Sequence, residues 1–151
     1  MAREPSLTLD KQLCFAVYST AHAFNRFYKP LLDRIGLTYP QYLVMIVLWE
    51  GDGVTVKHLG ERLMLDSGTL TPLLKRLEAL GLVSRRRDAA DERQVLVSLT
   101  DAGRALRAKA ADIPPAVACG TQLGEAEFLA LMGTLETLRT RLVAASGREP
   151  S

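Results

Sequence analysis

The segment from residue 54 to residue 99 constrains the fold most, because two short helical patterns are followed there by two strand-like runs. The helical patterns are "VTVKHLGERL" and "DSGTLTPLLKRLEALG", joined by a tight connection. The strand-like runs "LVSRRR" and "QVLVSL" flank the acidic turn "DAADE". Two helices and a hairpin in this order are typical of the winged helix-turn-helix, whose second helix enters the major groove of DNA. This order predicts a mainly α fold that binds double-stranded DNA.

The second helical pattern has an apolar and a polar face when its residues are placed about 100° apart. The apolar face, predicted to pack on the core, comprises Leu70, Leu73, Leu74, Leu77 and Leu80. The polar face carries hydroxyls near its start and cations further on, which suit base edges and phosphates. Arg93, at the turn of the hairpin, fits a narrow minor groove. The candidate DNA-binding residues are Ser67, Thr69, Thr71, Lys75, Arg76, Arg85, Arg86, Arg87 and Arg93.

Both ends of the chain carry apolar stripes with heptad-like spacing. The first comprises Leu13, Val17, Thr20, Phe24, Phe27 and Leu31, and the last comprises Phe128, Leu131, Leu135, Leu138 and Leu142. A small middle section leaves little surface on which one chain could bury both stripes. We therefore expect a single domain over residues 1–151, with residues 54–99 binding DNA and the helices of 9–35 and 100–145 forming a homodimer. Packing of both helices on their own chain is the alternative.

The bulk properties exclude several classes without identifying a function. A net charge of +2 and a pI near 8.7 are too mild to demonstrate nucleic-acid binding. No apolar run approaches the roughly 20 residues that span a bilayer, and the opening "MAREPS" lacks an apolar export core. We expect a cytoplasmic protein with no membrane partner. The two cysteines are too few and too distant in sequence for a secreted disulfide framework.

Two stretches carry a family resemblance. The string "DSGTLTPLLKRLEALGLVSRRRDAADERQVLVSLTDAG" resembles the recognition helix and wing of MarR-type transcriptional regulators, and Asp91-Glu92-Arg93 before "VLVSLT" is its most specific part. The string "LDKQLCFAVYSTAHAFNRFYKPLLDRIGLTYPQYLVMIVLWE" is similar to the organic hydroperoxide resistance regulators, a thiol-based branch of that family. The resemblance covers nearly the whole chain. It implies a homodimeric repressor on a pseudo-palindromic operator, with no cofactor and no enzymatic turnover.

The resemblance also implies the sensor residues. In that branch a cysteine early in the first helix senses peroxide and two tyrosines hydrogen-bond it; by position these are Cys14, Tyr28 and Tyr39. The chain resembles the two-cysteine kind, whose implied cycle is sulfenic acid at Cys14 followed by a disulfide with Cys119. The expected dimer favours a disulfide between subunits, and a disulfide within one subunit remains the alternative. The signal would be an organic or lipid hydroperoxide. We hypothesise that the apolar surroundings of the thiol, formed by Phe15, Phe24, Phe27 and Tyr42, favour such a peroxide over hydrogen peroxide.

Helix geometry adds a constraint to this assignment. "DKQLCFAVYSTAHAFNRFY" predicts one helix from Asp10 to Tyr28. At about 1.5 Å per residue, Tyr28 lies about 21 Å along the axis from Cys14, beyond the reach of a tyrosine. Tyr28 therefore contacts Cys14 only from the other subunit, unless the helix is broken. Tyr18, four residues after Cys14, is the tyrosine that can neighbour it on the same helix.

Other functions compete with this hypothesis. A thiol peroxidase would also use a thiolate, but the DNA-reading segment would then have no role. His22 and His58 lack metal-ligand spacing with each other or with either cysteine. The closest alternative is a MarR-type repressor released by a non-covalent small ligand such as a phenolic acid, with Cys14 a small apolar residue. A pure interaction module is a further class, supported only by the terminal stripes.

Overall fold

The structure is a computed structural model that describes residues 7–147. The helices are α1 (Leu13–Asp33), α2 (Tyr39–Glu50), α3 (Val56–Leu63), α4 (Ser67–Ala79), α5 (Asp101–Ala110), α6 (Ile113–Thr121) and α7 (Glu125–Ala145). The strands are β1 (Val54–Thr55), β2 (Val83–Arg87) and β3 (Val95–Leu99). The chain divides after Tyr39 into two compact units, which are described separately. The predicted single domain, with its boundaries, stays a prediction.

Helix α1 dominates the first unit and begins later than predicted. Leu9–Lys11 form a short 3-10 helix, and Gln12 then adopts an extended backbone with φ −93° and ψ 112°. The predicted single helix from Asp10 is therefore wrong, because the extended residue separates the two helical segments. Cys14 becomes the second residue of α1, and the helix runs without interruption to Asp33 although it contains Pro30.

The end of α1 is closed by a glycine. Gly36 has φ +71°, in the left-handed region that glycine adopts without steric cost. Its N–H donates to the Asp33 carbonyl (3.2 Å), and the Leu37 N–H donates to the Leu32 carbonyl (3.2 Å). This pair of bonds is the Schellman motif, which satisfies carbonyls at a helix end. Leu32 and Leu37 are both buried.

The core of the second unit is built around α2 and the two short helices α3 and α4. Together with the β2–β3 hairpin, α3 and α4 form the part of the chain called here the reading head. Helix α2 is apolar around most of its circumference, as is typical of a buried core helix. Its buried residues are Gln41, Tyr42, Val44, Met45, Val47 and Leu48. Helix α3 packs against α4, and α4 packs against β2. Leu59 of α3 and Leu74 of α4 are fully buried.

The sheet has three antiparallel strands in the order β1-β3-β2. The β2–β3 hairpin is the predicted one, and β3 also pairs with β1 through Val54↔Val97 and Thr55↔Leu96. The sequence analysis assigned Val54 and Thr55 to a helical pattern and missed β1. Two residues give no alternation that distinguishes a strand from the start of the helix that follows.

The C-terminal region contains three helices. Thr100 caps α5, because its hydroxyl oxygen accepts the Gly103 N–H at 3.1 Å. The sequence predicts that Pro114 and Pro115 break the helix that begins after Thr100, and α5 does end before them, at Ala110. The two prolines lie in the first turn of α6, where a missing N–H costs nothing. Helix α7 buries no residue in the single chain, and its apolar stripe is largely exposed. Within residues 7–147, no helix is both long and apolar enough to cross a membrane.

Candidate DNA interface and thiol site

Helix α4 presents a polar face that is held in place by a capped start and a buried leucine row. The Asp66 carboxylate caps the helix by accepting the Thr69 N–H at 2.8 Å. Leu70, Leu73, Leu74 and Leu77 are buried, as predicted. Leu80 is 52% exposed, so its prediction as a core residue was wrong. The helix ends at Ala79 and Gly81 turns the chain away with φ +74°, which removes Leu80 from the leucine row.

The candidate DNA-contacting residues of α4 lie away from that leucine row. Ser67, Thr69, Lys75 and Arg76 are exposed, and Thr71 is partly exposed. Within residues 7–147, the Lys75 and Arg76 side chains form no ion pair, so both cations are available to a phosphate. No DNA is present, and their contacts with it stay predictions.

A close backbone approach fixes the connection between α3 and α4. A Cβ atom on Gly60 would lie 2.9 Å from the Leu65 carbonyl oxygen, closer than such atoms normally approach. The Leu65 N–H donates to the Gly60 carbonyl at 3.0 Å, and Met64 adopts a left-handed backbone with φ 56°. The two helices of the reading head therefore keep a defined relative position.

The three consecutive arginines of β2 do not form one surface. Side chains alternate across a strand, so Arg85 and Arg87 share one face and Arg86 lies on the other. Arg85 is paired with Val97, which is fully buried on the face covered by helices. Arg86 forms no ion pair among the described residues and is exposed. The sequence pattern predicted all three arginines as DNA-binding residues and gave no sign of this division.

Arg85 is engaged by α4. Its Nη2 lies 3.3 Å from Glu78 Oε1, its Nε lies 3.4 Å from Glu78 Oε2, and its backbone N–H donates to Glu78 Oε2 at 3.1 Å. These interactions with Arg85 hold the pKa of the Glu78 carboxyl below its usual range. Glu78 is a functional candidate that sequence reasoning missed. The opposite charges in "LEALGLVSRRR" were the available signal, but the turn that brings them together was not predictable.

The loop at the tip of the wing is ordered by its own side chains. Asp88 accepts the Ala90 N–H at 2.9 Å, and Asp91 accepts the Arg93 N–H at 3.1 Å. Arg87 donates through Nη1 to the Glu92 carbonyl at 2.9 Å. The Arg93 guanidinium lies 3.3 Å from Asp91 and its side chain is 92% exposed. Arg93 is thus presented at the tip, where the sequence analysis placed it.

Cys14 lies in the first turn of α1, and its side chain is exposed in the single chain. Tyr18 follows one turn later, and its ring contacts the His22 ring edge-on with centroids 4.4 Å apart. A helix N-terminus carries partial positive charge that favours anions. Cys14 and Tyr18 lie four residues apart on one face of α1, and a contact between them stays a prediction.

Tyr28 and Tyr39 are brought together at the opposite end of α1. Their ring centroids lie 4.8 Å apart, with the planes tilted by 55°. Burial raises the pKa of Tyr39 above its usual range. Because α1 is continuous between Cys14 and Tyr28, the two residues are about 21 Å apart along the axis. Within one chain, this tyrosine pair cannot reach the thiol.

The second cysteine lies in α6, and Tyr42 lies in the core. Cys119 is exposed and is the third residue from the end of α6. Tyr42 is 4% exposed, with its ring edge-on to Trp49 at 6.4 Å, so its expected place beside the peroxide is not supported. Among residues 7–147, no group of three or more His, Cys, Asp or Glu side chains could hold a metal ion.

Comparison with known proteins identifies the family to which this chain belongs. The family described as "Transcriptional regulator SarA/Rot" matches residues 26–109. HTH-type transcriptional regulator TtmR of Methylorubrum extorquens (strain PA1) is 54% identical over 145 residues, which cover 96% of this chain and 74% of TtmR. The organic hydroperoxide resistance transcriptional regulator of Bacillus subtilis (strain 168) is 52% identical over 118 residues, covering 78% and 77%. This chain belongs to the MarR family of winged-helix transcriptional regulators.

Solved structures of AbfR, a protein of Staphylococcus epidermidis, agree with this assignment. Reduced AbfR bound to DNA matches with a TM-score of 0.75 and 38% identity, covering 89% of this chain and 93% of AbfR. A disulfide-formed AbfR matches with a TM-score of 0.61 and 36% identity, covering 93% of each chain. The predicted winged helix-turn-helix of the MarR family is confirmed. Family members are DNA-binding transcriptional regulators and not enzymes, which leaves the thiol peroxidase hypothesis without support.

Proposed function

We propose that this MarR-family regulator is a homodimeric repressor that leaves its operator when an organic hydroperoxide oxidises Cys14. The observation that carries the proposal is the exposed Cys14 thiol in the first turn of α1. It occurs in a chain that is 52% identical to a regulator named for organic hydroperoxide resistance. The exposed apolar stripes of α1 and α7 support the homodimer, because a second copy would cover them.

The first chemical step oxidises Cys14. Its thiolate attacks the hydroperoxide oxygen that carries hydrogen, an S–O bond forms, and the O–O bond breaks. The departing alkoxide takes a proton and leaves as an alcohol. Cys14 becomes a sulfenic acid while the peroxide is reduced. Phe15 lies next to Cys14 on the same chain, and Phe24 and Phe27 would reach the site from the partner subunit, as Tyr28 would. These partly exposed aromatic side chains would favour an organic over an inorganic peroxide.

The second step joins Cys14 to Cys119 of the partner subunit. The Cys119 thiolate attacks the sulfenic sulfur, an S–S bond forms, the S–O bond breaks, and the released hydroxide leaves as water. The bridge requires Cα atoms within about 7 Å, so if the two cysteines begin further apart, its formation would pull helices of the two subunits into a new position. The spacing of the two reading heads would then no longer match half-sites about one helical turn apart. Cellular thiols would reverse the bridge.

Tyr28 and Tyr39 support the sensor from the partner subunit in this proposal. The continuity of α1 prevents Tyr28 from contacting Cys14 of its own chain. The raised pKa of Tyr39 keeps its hydroxyl protonated at neutral pH, so that it can donate a hydrogen bond to a thiolate. Tyr18 of the same chain completes the set, one helical turn from Cys14.

The DNA contacts follow from the two surfaces of the reading head. The hydroxyls of Ser67, Thr69 and Thr71 would contact base edges from α4. The cations of Lys75, Arg76, Arg86 and Arg87 would contact phosphates, and Arg93 at the wing tip would enter the minor groove. The two subunits of the dimer would bind successive half-sites, about one helical turn apart, on a pseudo-palindromic operator.

Chemical trapping during oxidation tests the sensor. The reduced protein is treated with one equivalent of cumene hydroperoxide, alone or with dimedone, and analysed by peptide mass spectrometry and non-reducing gels. We expect a Cys14–Cys119 bridge linking two wild-type chains, a dimedone adduct on Cys14 in Cys119→Ser, and no adduct in Cys14→Ser. A repressor released by a non-covalent ligand would instead show no selective reaction at Cys14.

A further inference from the structure

We propose that Glu78 is a positioning residue for DNA binding, whose carboxylate holds Arg85 and thereby sets the wing against the recognition helix α4. The inference rests on the proposed use of α4 and the wing as the DNA-contacting surface. It assigns Arg85 to the support of the wing and not to a phosphate.

Three contacts join the two residues. Glu78 Oε2 accepts from the backbone N–H of Arg85 at 3.1 Å and lies 3.4 Å from Nε, while Oε1 lies 3.3 Å from Nη2. The carboxylate thus engages the main chain of β2 as well as the guanidinium. The Arg85 side chain is only 24% exposed, which leaves little of it for a further ligand.

The pair connects two elements that carry different parts of the proposed interface. Glu78 is the penultimate residue of α4, and Arg85 is the central residue of β2. Strand β2 pairs along its whole length with β3, so the hairpin moves as one body. An anchor at Arg85 therefore also restricts the wing tip, where Arg93 is exposed.

The location of the carboxylate argues against a passive role. Glu78 belongs to the helix that is proposed to enter the major groove, where a negative charge repels phosphates. An exposed ion pair contributes little to the free energy of unfolding, so global stability does not account for it. Positioning of the wing does account for an acid at this place. The hydrogen bond from Arg85 also lowers the pKa of Glu78, so the carboxylate stays ionised at neutral pH.

The sign of the effect of Glu78→Gln separates positioning from simple charge. Loss of a negative charge beside DNA should strengthen binding, whereas loss of the anchor should weaken it. The matched control is Glu61→Gln, which removes the same charge from an exposed residue of α3 that forms no ion pair among the described residues. Arg93→Ala serves as the reference for a lost wing contact. Binding to a labelled duplex from upstream of the protein's own gene is measured by fluorescence anisotropy with reduced protein.

We expect Glu78→Gln to raise Kd about tenfold, comparable to Arg93→Ala and of the size of one lost DNA contact. Glu61→Gln should bind as tightly as wild type or more tightly. The charge-swapped Glu78→Arg/Arg85→Glu protein should recover part of the affinity, which it could not do if Arg85 itself contacted a phosphate. Thermal unfolding should place every variant within about 3 °C of wild type, because the Glu78 side chain is 41% exposed and such a partly exposed ion pair contributes little to global stability.

Wild-type or tighter binding by Glu78→Gln would overturn the inference. If Arg93→Ala still weakens binding in that case, only the role of Glu78 fails. If Arg93→Ala also binds as wild type does, the proposed contact of the wing with DNA fails and the inference fails with it. No recovery in the charge-swapped protein would likewise overturn positioning by the pair.

Discussion

At the scale of single residues, Gly103 occupies a position where no side chain fits. A Cβ atom there would lie 2.1 Å from the Leu82 carbonyl oxygen and 3.2 Å from Leu99 Cδ2. The Gly103 carbonyl also accepts the Trp49 indole N–H at 2.9 Å. The first turn of α5 is thereby packed against the start of β2 and the end of β3.

We expect Gly103→Ala to lower the free energy of unfolding by about 2–4 kcal/mol, because backbone must move to admit the methyl group. Urea unfolding followed by circular dichroism measures the change. Gly51→Ala is the matched control, since nothing lies within 4 Å of its Cβ position, and we expect a change within about 0.5 kcal/mol. Equal stability of the two variants would show that the packing at Gly103 is looser than described.

Tyr39 gives a pH dependence at the alkaline end. Burial raises its pKa in the folded protein, so folding favours the neutral phenol. Its contribution to stability is fully present below about pH 10, the unfolded pKa, and is lost as pH rises through the raised folded pKa. We expect wild type to lose stability more steeply than Tyr39→Phe as the pH rises above about 10 in urea titrations. Parallel curves for the two proteins would contradict this assignment.

At the scale of elements, Thr100 joins α5 to the turn before β2. Its hydroxyl oxygen accepts the Gly103 N–H at 3.1 Å, and its O–H donates to the Gly81 carbonyl at 2.6 Å. We expect Thr100→Ala to lower the free energy of unfolding by about 1–2 kcal/mol, since both bonds are lost. Thr100→Ser keeps the hydroxyl and should lose less than half as much. If Thr100→Ala is as stable as Thr100→Ser, the Thr100 hydroxyl does not stabilise the start of α5.

Elements with strong local signals were predictable from the sequence, and those defined by tertiary pairing were not. Helix α4 was predictable because its leucine row and the cap at Asp66 are both local features. Strand β1 was missed because pairing with β3 defines it, not its own two residues. The pairing of Glu78 with Arg85 depends on the turn at Gly81, whose geometry the sequence pattern does not specify.

The candidate thiol site was predictable to the same limited extent. The position of Cys14 at the start of a helix followed from the apolar spacing, although the extended Gln12 moved that start. The pairing of Tyr28 with Tyr39 came from the tight connection after α1, which no spacing rule anticipates. A contact of Tyr28 and Tyr39 with Cys14 would require a second subunit, and it stays a proposal.

At the scale of the whole molecule, the proposed homodimer predicts a strong effect of charge on the α7 stripe. Leu135 is 41% exposed in the single chain and lies in the middle of that stripe. We expect Leu135→Arg to shift the protein from dimer to monomer in sedimentation velocity and to weaken operator binding by at least about tenfold, because each monomer binds only one half-site. Thr137→Arg, on another face of α7, should remain dimeric. A dimeric Leu135→Arg protein would exclude the α7 stripe as the interface.

The most direct test of the account is DNA release that depends on Cys14. Reduced wild type and Cys14→Ser are each bound to a fluorescent duplex from upstream of the protein's own gene, and anisotropy is followed after addition of cumene hydroperoxide. We predict that both proteins bind, that only wild type is released, and that dithiothreitol restores its binding. Release of both proteins, or of neither, would contradict the sensing role of Cys14 while leaving the DNA-binding function of the family intact.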